Sequence, residues 1–401
     1  MTGPEARRAV VVGAGIGGLA TAVGLGRCGW QVTLLERAPE LREAGAGMSL
    51  LSNAQRCLDR LGAGAAARAL SAEMMPGGDG VHTPRGRRLM RPTDPVFVRD
   101  HGLSTMVLLR RDLQRVLQQA LPAGCLRTGA EAVGVDGAGV RYRTADGEHT
   151  AGADVVVAAD GVHSRLRADL FPDAPGPVHS GHSVWRGITG RPFTPEEGGT
   201  AWGRGREFAR MPLADGRVYW YAVANTPAGA QFRDHREEVL RRFGTWHGRI
   251  RAMVESTPAE TVLHHDVLEL PRPLPGYVRG RVALLGDAAH AMTSDLGQGA
   301  CQALEDAVVL CAELAAGPDV PAALARYDRI RRPRSQMVAE ASRRMGRMKL
   351  TERPLQLLVR NLALLVTPPR AGERAMARIG DWHPPVLPGP QTRSTERRGV
   401  G

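Results

Sequence analysis

Short apolar runs separated by glycine-rich turns dominate the first 40 residues of the chain. Arg8 to Val12 is a β-rich run, and Leu19 to Cys28 is rich in alanine and leucine, which is typical of a helix. Gln31 to Glu36 is apolar again and predicts a second strand. A strand, a glycine turn, a helix and a second strand in this order form a βαβ unit, which is half of a dinucleotide-binding fold.

The chain continues with similar elements and then changes character. Further elements are predicted as buried strands at 154–159 and 282–285, a hairpin at 141–150, and helices at 53–61, 110–121, 299–316, 326–348 and 355–366. Most aromatic residues lie between about 179 and 275, where alternating runs such as Val218 to Asn225 favour an antiparallel sheet. The pattern predicts an α/β fold, with a Rossmann-like domain, an inserted antiparallel-sheet domain and C-terminal helices.

Composition shifts suggest that the cofactor domain is discontinuous. The predicted parts are the first part of the cofactor domain at 1–178 (with 76–101 partly in the substrate domain), the substrate-binding sheet domain at 179–275, the second part of the cofactor domain at 276–350, C-terminal helices at 351–385 and a disordered tail at 386–401.

The net charge of +12 over 401 residues raises the question of nucleic-acid binding. Lys349 is the single lysine, and the arginines are dispersed without a basic stripe interleaved with aromatic residues. The composition therefore argues against a nucleic-acid partner. A basic surface would nevertheless favour encounter with an anionic nicotinamide cofactor.

Cysteine content and hydropathy suggest a compartment. The five cysteines are odd in number and contain no CxxC motif, which fits reduced thiols and a cytoplasmic protein and argues against a disulfide framework or a structural zinc site. No HExxH motif or cluster of metal-binding side chains indicates another metal. No apolar run reaches the ~18–20 residues of a spanning helix, so no integral membrane span is expected.

The first glycine motif carries the clearest chemistry. Gly13 permits a tight turn after the strand, Gly15 allows close approach of a pyrophosphate, and Gly18 allows close helix–strand packing. Glu36 follows at the end of the next strand, where a carboxylate can accept ribose hydroxyls and repel a 2′-phosphate, so the site suits FAD or NAD. The alternative is a glycine turn without a ligand. The motif also supplies two further candidate cofactor contacts, Gly17 and Arg37.

Two more segments make the prediction of the cofactor site specific. Asp160-Gly161 follows an apolar strand in mid-chain, and Gly286 to His290 continues into Gly297-Gln298-Gly299. In this order the three segments resemble the class A FAD-dependent aromatic hydroxylases (flavoprotein monooxygenases with a p-hydroxybenzoate hydroxylase-like fold), and the resemblance covers roughly the first 345 residues.

The resemblance implies which residues contact FAD. Asp160 would lie near the pyrophosphate and Asp287 near the ribityl chain, while Arg167 would fix the turn after Asp160. The helix that opens at Gly299 would direct its N-terminal dipole at the flavin, and Glu305 with Asp306 resembles the Glu-Asp pair of the family. The remaining implied flavin contacts are Ser49 (in the segment 45–49), Arg110, Val133, Gly297, Gln298 and Ala300.

Ser294 departs from the family pattern, in which proline usually stands at this position. Proline would fix φ in the loop beside the flavin, whereas serine loosens that constraint. Asp295 is the nearest candidate for a catalytic carboxylate on the substrate side of the ring. The alternative is an acidic residue near a helix N-terminus without a catalytic role.

Candidates for the substrate region are fewer. Period-2 alternation places Tyr219, Tyr221 and Val223 on one face of a strand and Trp220 on the other. Tyr219 is a catalytic candidate that could orient or deprotonate a phenol, and the alternative is ordinary aromatic core. Further candidates, each also readable as a surface charge, are Arg186, Arg204 and Glu207. His290, without an identified partner acid, is read as structural.

The function implied by the resemblance is an FAD-dependent monooxygenase. It would use NAD(P)H and O2 to hydroxylate a small aromatic or heteroaromatic substrate through a flavin 4a-hydroperoxide, with NADH or NADPH as co-substrate. No second GxGxxG motif is present, which matches the family. The alternatives are epoxidation, Baeyer–Villiger oxidation or alkene reduction on the same scaffold, or a non-catalytic escort protein.

The C-terminal apolar helix does not by itself determine the oligomeric state. Residues 355–366 read as core, as a dimer face or as a membrane-peripheral element. A homodimer is therefore one of the expected arrangements.

Overall fold

The computed structural model describes residues 6–41, 46–74, 80–90, 98–99, 102–193, 199–247 and 249–388. Some expectations fall outside these ranges. They concern the part of the predicted disordered tail from residue 389 onward, residue 45 at the start of the expected flavin segment 45–49, and parts of 76–101.

A six-stranded sheet contains the predicted βαβ unit. Its strands, in spatial order, are β18 (Val278–Arg279), β19 (Val282–Leu284), β12 (Val155–Ala158), β1 (Arg8–Val12), β2 (Gln31–Leu35) and β8 (Leu126–Arg127). All neighbours run parallel except β18 and β19. Strands β12 and β19 are buried throughout, as expected for a parallel sheet covered on both faces. The strands predicted at 8–12, 31–36, 154–159 and 282–285 are confirmed.

Helices cover this sheet and continue beyond it. Within the described residues they are α1 (Ile16–Arg27), α2 (Ser52–Arg60), α3 (Gly64–Ala69), α4 (Arg110–Gln119), α5 (Arg165–Leu170), α6 (His235–Phe243), α7 (Ile250–Ser256), α8 (Asp287–His290), α9 (Gly299–Ala315), α10 (Val320–Lys349), α11 (Pro354–Val366) and α12 (Pro369–Gly380). Helix α2 ends just before Gly62, whose φ of +76° is the left-handed conformation that commonly follows a helix.

Helix α10 begins earlier than the sequence predicts. The expectation was a start at 326, but the helix begins at Val320. The carboxylate of Asp319 accepts a hydrogen bond from the backbone N–H of Ala322 at 3.0 Å, which caps the helix. Pro321 lies in the first turn, where a missing N–H costs nothing.

A second large sheet has seven strands. Its spatial order is β17 (Leu263–Glu269), β13 (Val178–Ile188), β16 (Val218–Asn225), β15 (Arg206–Pro212), β14 (Gly199–Trp202), β5 (Val81–His82) and β6 (Arg88–Met90). Only β14 and β5 pair in parallel, so the predicted antiparallel sheet is confirmed. Two of its strands come from the segment 76–101.

The two faces of this sheet have different partners. Trp185, Phe208 and Trp220 are buried in one apolar cluster together with side chains of α6 and α7. Tyr219 lies on the opposite face and packs with Val107 of a small sheet formed by β3 (Gly47–Leu51), β7 (Thr105–Leu109) and β4 (Ala72–Met74). The predicted alternation along β16 is therefore confirmed. The predicted hairpin is also present, in a sheet formed by β9 (Glu131–Asp136), β10 (Gly139–Thr144) and β11 (Gly147–Gly152).

Helix α11 confirms the predicted apolar element at the C-terminal end. Leu355 is 72% exposed and Val366 is 75% exposed, so these side chains are not core of this chain. Among the described residues, no helix is both long and apolar enough to cross a bilayer. The homodimer, the cytoplasmic location and the domain boundaries stay predictions.

Candidate functional site

The turn between β1 and α1 separates packing glycines from an open one. Gly13 has φ +98°, and a Cβ there would overlap the carbonyl oxygen of Ala159. A Cβ on Gly18 would overlap the carbonyl oxygen of Gly13, so this pair holds α1 close to β1. Gly15 has no atom near the position of a Cβ, and its side of the turn faces open space.

Gly17 connects the first glycine segment to the third. A Cβ at this position would lie 2.6 Å from Leu285 and 3.2 Å from Ala303. Gly286 approaches Ala303 in the same way, with 3.2 Å to a hypothetical Cβ. The first and third segments therefore touch through positions that carry no large side chain.

Glu36 closes the turn from the other side. Its Oε2 accepts a hydrogen bond from the backbone N–H of Ala14 at 2.8 Å, and its Oε1 accepts one from Ala38 at 2.9 Å. The carboxylate is thus fixed at the carboxyl end of β2 beside the glycine turn. Arg37 is exposed next to it, and Val133 is half-buried on β9.

The second segment is bonded to the third through Arg167. Its guanidinium donates to the carbonyl of Val162 at 2.7 Å and reaches the carbonyls of Asp287 at 3.5 Å and Ala288 at 3.4 Å. Burial lowers the pKa of Arg167, while Asp160 and Asp287 oppose that shift. The prediction that Arg167 fixes this turn is consistent with these bonds.

The third segment opens a long helix toward the same space. Gly297 is left-handed with φ +63°, and Gln298 precedes the 17-residue helix α9. No side chain of the described residues caps this helix, so within them its first N–H groups are available to a ligand. Asp287 is exposed, and its Oδ1 lies 4.0 Å from a Cβ placed on Gly299. Ala300 is half-buried in the first turn.

The side chain of Gln298 points into the interior. Its Oε1 accepts hydrogen bonds from Asn53 Nδ2 at 3.1 Å and Gln302 Nε2 at 3.0 Å. Asn53 also donates to Glu305 Oε1 at 2.7 Å. A contact of Gln298 with a cofactor would therefore come from its backbone.

The Glu-Asp pair on α9 is a buried anchor for α10. Glu305 pairs with Arg331 and Arg334, and Asp306 Oδ1 lies 2.7 Å from Arg331 Nε. Arg331 is fully buried, and sequence reasoning missed it among the many arginines of α10. The available signal was the buried carboxylate pair, which requires a cation in its reach.

His290 has a partner acid, and the interpretation of an isolated histidine was wrong on that point. Its Nε2 lies 2.6 Å from Asp306 Oδ2. The acid comes from α9, 16 residues further on, so the pairing could not be read from local sequence. Its structural role is supported because both side chains are excluded from solvent.

The chemistry of the open space fits a dinucleotide cofactor. Gly15, Gly161 and Gly299, one from each segment, have no non-adjacent atom of the described residues closer than 4.0 Å to a hypothetical Cβ. Asp160 Oδ1 is buried without a hydrogen-bond donor from the described residues. A free acceptor beside open backbone suits a ligand that carries hydroxyl groups and phosphates, as FAD does.

Arg110 and Ser49, two of the expected flavin contacts, lie near the third segment. The guanidinium of Arg110 keeps access to solvent although burial lowers its pKa, an effect that Asp287 opposes and Arg186 reinforces. Ser49 Oγ is 3.2 Å from a Cβ placed on Gly297. Residues from β3, α4 and the third segment are therefore close together.

A cleft separates the two large sheets. It is lined from the cofactor side by Val162, Asp287, Ala291, Met292 and Ser294, and from the substrate sheet by Val184, Arg186 and residues 265–268. His265 lies in this wall, and burial followed by Arg186 lowers its pKa, so it is neutral at pH 7. Arg186 lines the same wall, so its guanidinium presents a positive charge to the cleft.

Tyr219 lies beside this cation. It is 4% exposed, its ring packs against Gly47 of β3, and Arg186 lies near its hydroxyl. Burial raises the pKa of Tyr219, and Arg186 opposes that shift only in part. The hydroxyl is consequently protonated at neutral pH, so orienting a substrate fits this geometry better than deprotonating one. Its catalytic role stays a prediction.

Asp295 is enclosed. Its side chain is 2% exposed, and its Oδ1 lies 3.1 Å from Lys349 Nζ, while the neighbouring Ser294 lines the cleft. Lys349 also binds Glu207 Oε2 at 2.5 Å. A surface charge was one interpretation of Glu207, and that interpretation was wrong, since only 3% of its side chain is exposed. Arg204 is exposed.

Metal ligation and disulfide bonding have no counterpart in the described part of the chain. Within it, no group of three or more His, Cys, Asp and Glu side chains could hold a metal ion. The five cysteines are free thiols.

Known proteins share sequence similarity with most of this chain. A family model for the FAD binding domain matches residues 7–342. The aurachin C monooxygenase/isomerase of Stigmatella aurantiaca is 38% identical over 360 residues, covering 88% of this chain and 92% of that protein. The 3-hydroxybenzoate 6-hydroxylase 1 of Aquipseudomonas alcaligenes is 36% identical over 358 residues, covering 83% and 87%.

A solved structure shows the same architecture with the cofactor bound. HpxO of Klebsiella pneumoniae, complexed with FAD and uric acid, superposes with a TM-score of 0.84 at 27% identity, covering 93% of this chain and 96% of that one. Residues 7–342, which the family model matches, include all three glycine segments and the substrate sheet. This chain therefore belongs to the class A family of FAD-dependent aromatic hydroxylases, and it is an FAD-dependent monooxygenase.

Proposed function

We propose that this enzyme uses NAD(P)H and O2 to hydroxylate a small aromatic or heteroaromatic ring that carries an ionisable hydroxyl or ring N–H. In the overall reaction one oxygen atom enters a ring C–H bond, the other leaves as water, and NAD(P)H supplies two electrons and a proton. The observation that carries the proposal is the pair formed by Arg186 and Tyr219 beside the cleft. The cation favours an anionic ring, and the neutral phenol orients it.

Residues of the three glycine segments and their neighbours are proposed to bind FAD. Bound FAD supplies the redox chemistry, accepting hydride from NAD(P)H and reacting with oxygen once reduced. Glu36 would accept the ribose hydroxyls, and Asp160 and Asp287 would bind the central part of the cofactor. Remaining contacts are proposed for Gly13, Gly15, Gly17, Gly18, Arg37, Ser49, Arg110, Val133, Gly297, Gln298, Gly299 and Ala300.

Residues of the chain also exclude water from the reaction site. Tyr219 packs with Val107, Leu109 and Leu213, so its ring is part of an apolar wall. A low-polarity surrounding strengthens the interaction between Tyr219 and the nearby Arg186, and it protects reactive species from hydrolysis.

The test is a screen of phenolic and N-heterocyclic compounds for those that accelerate NAD(P)H oxidation by the yellow holoenzyme. Incorporation of one atom from ¹⁸O₂ into a hydroxylated product supports the proposal. A holoenzyme that oxidises NAD(P)H but incorporates no label with any ring compound would contradict it. Anionic ring compounds are expected to stimulate oxidation more strongly than neutral analogues of the same shape.

One relative favours a second candidate function. The protein at 38% identity is named a monooxygenase and an isomerase, so oxygen insertion followed by rearrangement is the competing function. Product NMR separates the two outcomes, because simple hydroxylation keeps the carbon skeleton and rearrangement changes it.

A further inference from the structure

The single lysine of the chain joins the loop before α9 to the substrate sheet. Lys349 is 3% exposed, and its Nζ lies 2.5 Å from Glu207 Oε2 and 3.1 Å from Asp295 Oδ1. It ends α10, whereas Glu207 belongs to β15 and Asp295 to the loop before Gly297. Because a buried lysine is tolerated only when it is paired, the three side chains form one unit, here called the lysine clamp.

One face of α10 is shaped to hold the loop. Ser342 Oγ donates to the carbonyl of Thr293 at 2.7 Å and accepts from the Thr293 hydroxyl at 3.1 Å. Gly346, one turn further on, leaves room for the Asp295 carboxylate, which a Cβ would overlap. A glycine inside a helix costs about 1 kcal/mol relative to alanine, so this space has a structural use. Lys349 completes the same face at i+7.

The other end of the clamp is fixed to the substrate sheet. Glu207 Oε1 accepts hydrogen bonds from Thr200 Oγ1 at 3.1 Å and from Trp202 Nε1 at 3.3 Å. Tyr221 points its hydroxyl at the same oxygen, 3.5 Å away, and the ring of Tyr221 is 6.3 Å from that of Tyr219. Glu207 therefore connects the clamp to the strand that carries the substrate-facing tyrosine.

Lys349 is charged at neutral pH. Burial disfavours the ammonium, but Glu207 and Asp295 raise the pKa of Lys349 above its usual value. Ser294, between the two bonded residues of the loop, does not restrict φ as a proline would. The position of the loop therefore depends on these external contacts.

We propose that Lys349 is a positioning residue for the flavin: through Asp295 and Glu207 it sets the distance between the loop 294–297, which leads into α9, and the sheet that carries Tyr219. This inference rests on the proposed placement of FAD at the N-terminus of α9. Loss of the clamp lets the loop shift, and the helix N-terminus then stabilises negative charge on the flavin less well.

The test compares one variant that removes the lysine clamp with one control variant, both as purified holoenzymes. Lys349→Met removes the clamp, and Arg343→Met is the matched control, since Arg343 on the same helix binds Glu269 at 2.8 Å and makes no bond to the loop 294–297. Affinity for sulfite, a small anion that reacts with bound flavin, is measured together with the visible spectrum and the melting temperature. No substrate is needed, so the result is independent of the proposed hydroxylation.

Lys349→Met is expected to weaken sulfite affinity by about tenfold, equivalent to about 1.4 kcal/mol, and to shift the flavin spectrum, whereas Arg343→Met lowers only the melting temperature. Gly346→Ala provides a second variant that displaces Asp295 without removing a charge or weakening the helix, and it should change sulfite affinity in the same direction. Sulfite affinity and spectra that stay at wild-type values in both Lys349→Met and Gly346→Ala would overturn the proposal. If Lys349→Met does not fold, Gly346→Ala alone decides in the same way.

Discussion

Nε2 of His290 lies 2.6 Å from Oδ2 of Asp306, and both side chains are excluded from solvent. The same Asp306 oxygen accepts the backbone N–H of Gly286 at 3.0 Å, and the other oxygen binds Arg331. One carboxylate therefore fixes both ends of the turn that presents Asp287 to the cofactor space. The turn is positioned from behind, by groups that need not touch the ligand.

Replacing Asp306 with asparagine is expected to lower the free energy of unfolding by about 3 kcal/mol, because it removes a negative charge that pairs with the buried cation Arg331. Denaturant unfolding of the holoenzyme measures the loss. Glu340→Gln is the control, since Glu340 forms only partly exposed ion pairs with Arg343 and Arg344 and should cost less than about 1 kcal/mol. Equal losses in the two variants would refute the anchoring role.

The same carboxylate should make stability depend on acid. Burial opposes ionisation, but His290 and Arg331 hold the pKa of Asp306 at about 2, below its usual value. A depressed pKa contributes stability that is present above the unfolded value and is lost as the pH falls through the folded value. The stability difference between wild type and Asp306→Asn should thus shrink as the pH is lowered from 5 to 2. A constant difference over that range would contradict the assignment.

Two glycines of the first turn should respond in opposite ways to alanine. Gly15→Ala places a methyl group in open space at an allowed backbone conformation, so the apoprotein should keep its melting temperature while FAD affinity falls at least about tenfold. Gly18→Ala overlaps the carbonyl of Gly13, so it should destabilise the apoprotein itself. Thermal unfolding of apoprotein and flavin-fluorescence titration distinguish these effects. Normal FAD binding by Gly15→Ala would exclude the proposed pyrophosphate approach.

Glu36→Ala is expected to weaken FAD binding by about 10- to 100-fold, because it removes charge-assisted hydrogen bonds to ribose and to the turn. Glu36→Gln keeps the shape and an acceptor, and should retain part of the affinity. Glu131→Ala, at an exposed position on β9, is the control and should bind FAD normally. The idea fails if Glu36→Ala and Glu131→Ala give the same dissociation constant.

Tyr219→Phe tests orientation of the substrate. Because the pKa of Tyr219 is raised by burial, its hydroxyl acts as a neutral group, and removing it should raise KM about tenfold without altering the pH at which activity declines. FAD affinity should not change. Loss of an alkaline limb from the pH profile in this variant would instead show that the tyrosine ionises during turnover.

Sequence patterns predicted the elements that depend on local properties. The strands β1, β2, β12 and β19 follow from apolar runs, and the turn at Gly13 follows from glycine spacing. The start of α10 was misplaced, because the capping bond from Asp319 to Ala322 outweighs the weak helical pattern of the first turn. Arg331 and Lys349 could not be selected as anchors, since nothing in their neighbourhood along the chain distinguishes them.

The sequence by itself determined the dinucleotide fold, the alternation along β16 and the glycine turn after β1, because backbone conformation and side-chain periodicity are local properties. Only the tertiary structure decided which charges are buried together. It joined Asp295 with Lys349 and Glu207, and His290 with Asp306, across distances in the chain that no periodicity encodes. The physical reason is that a buried charge is stable only beside its partner, and the partner is chosen by packing of distant elements.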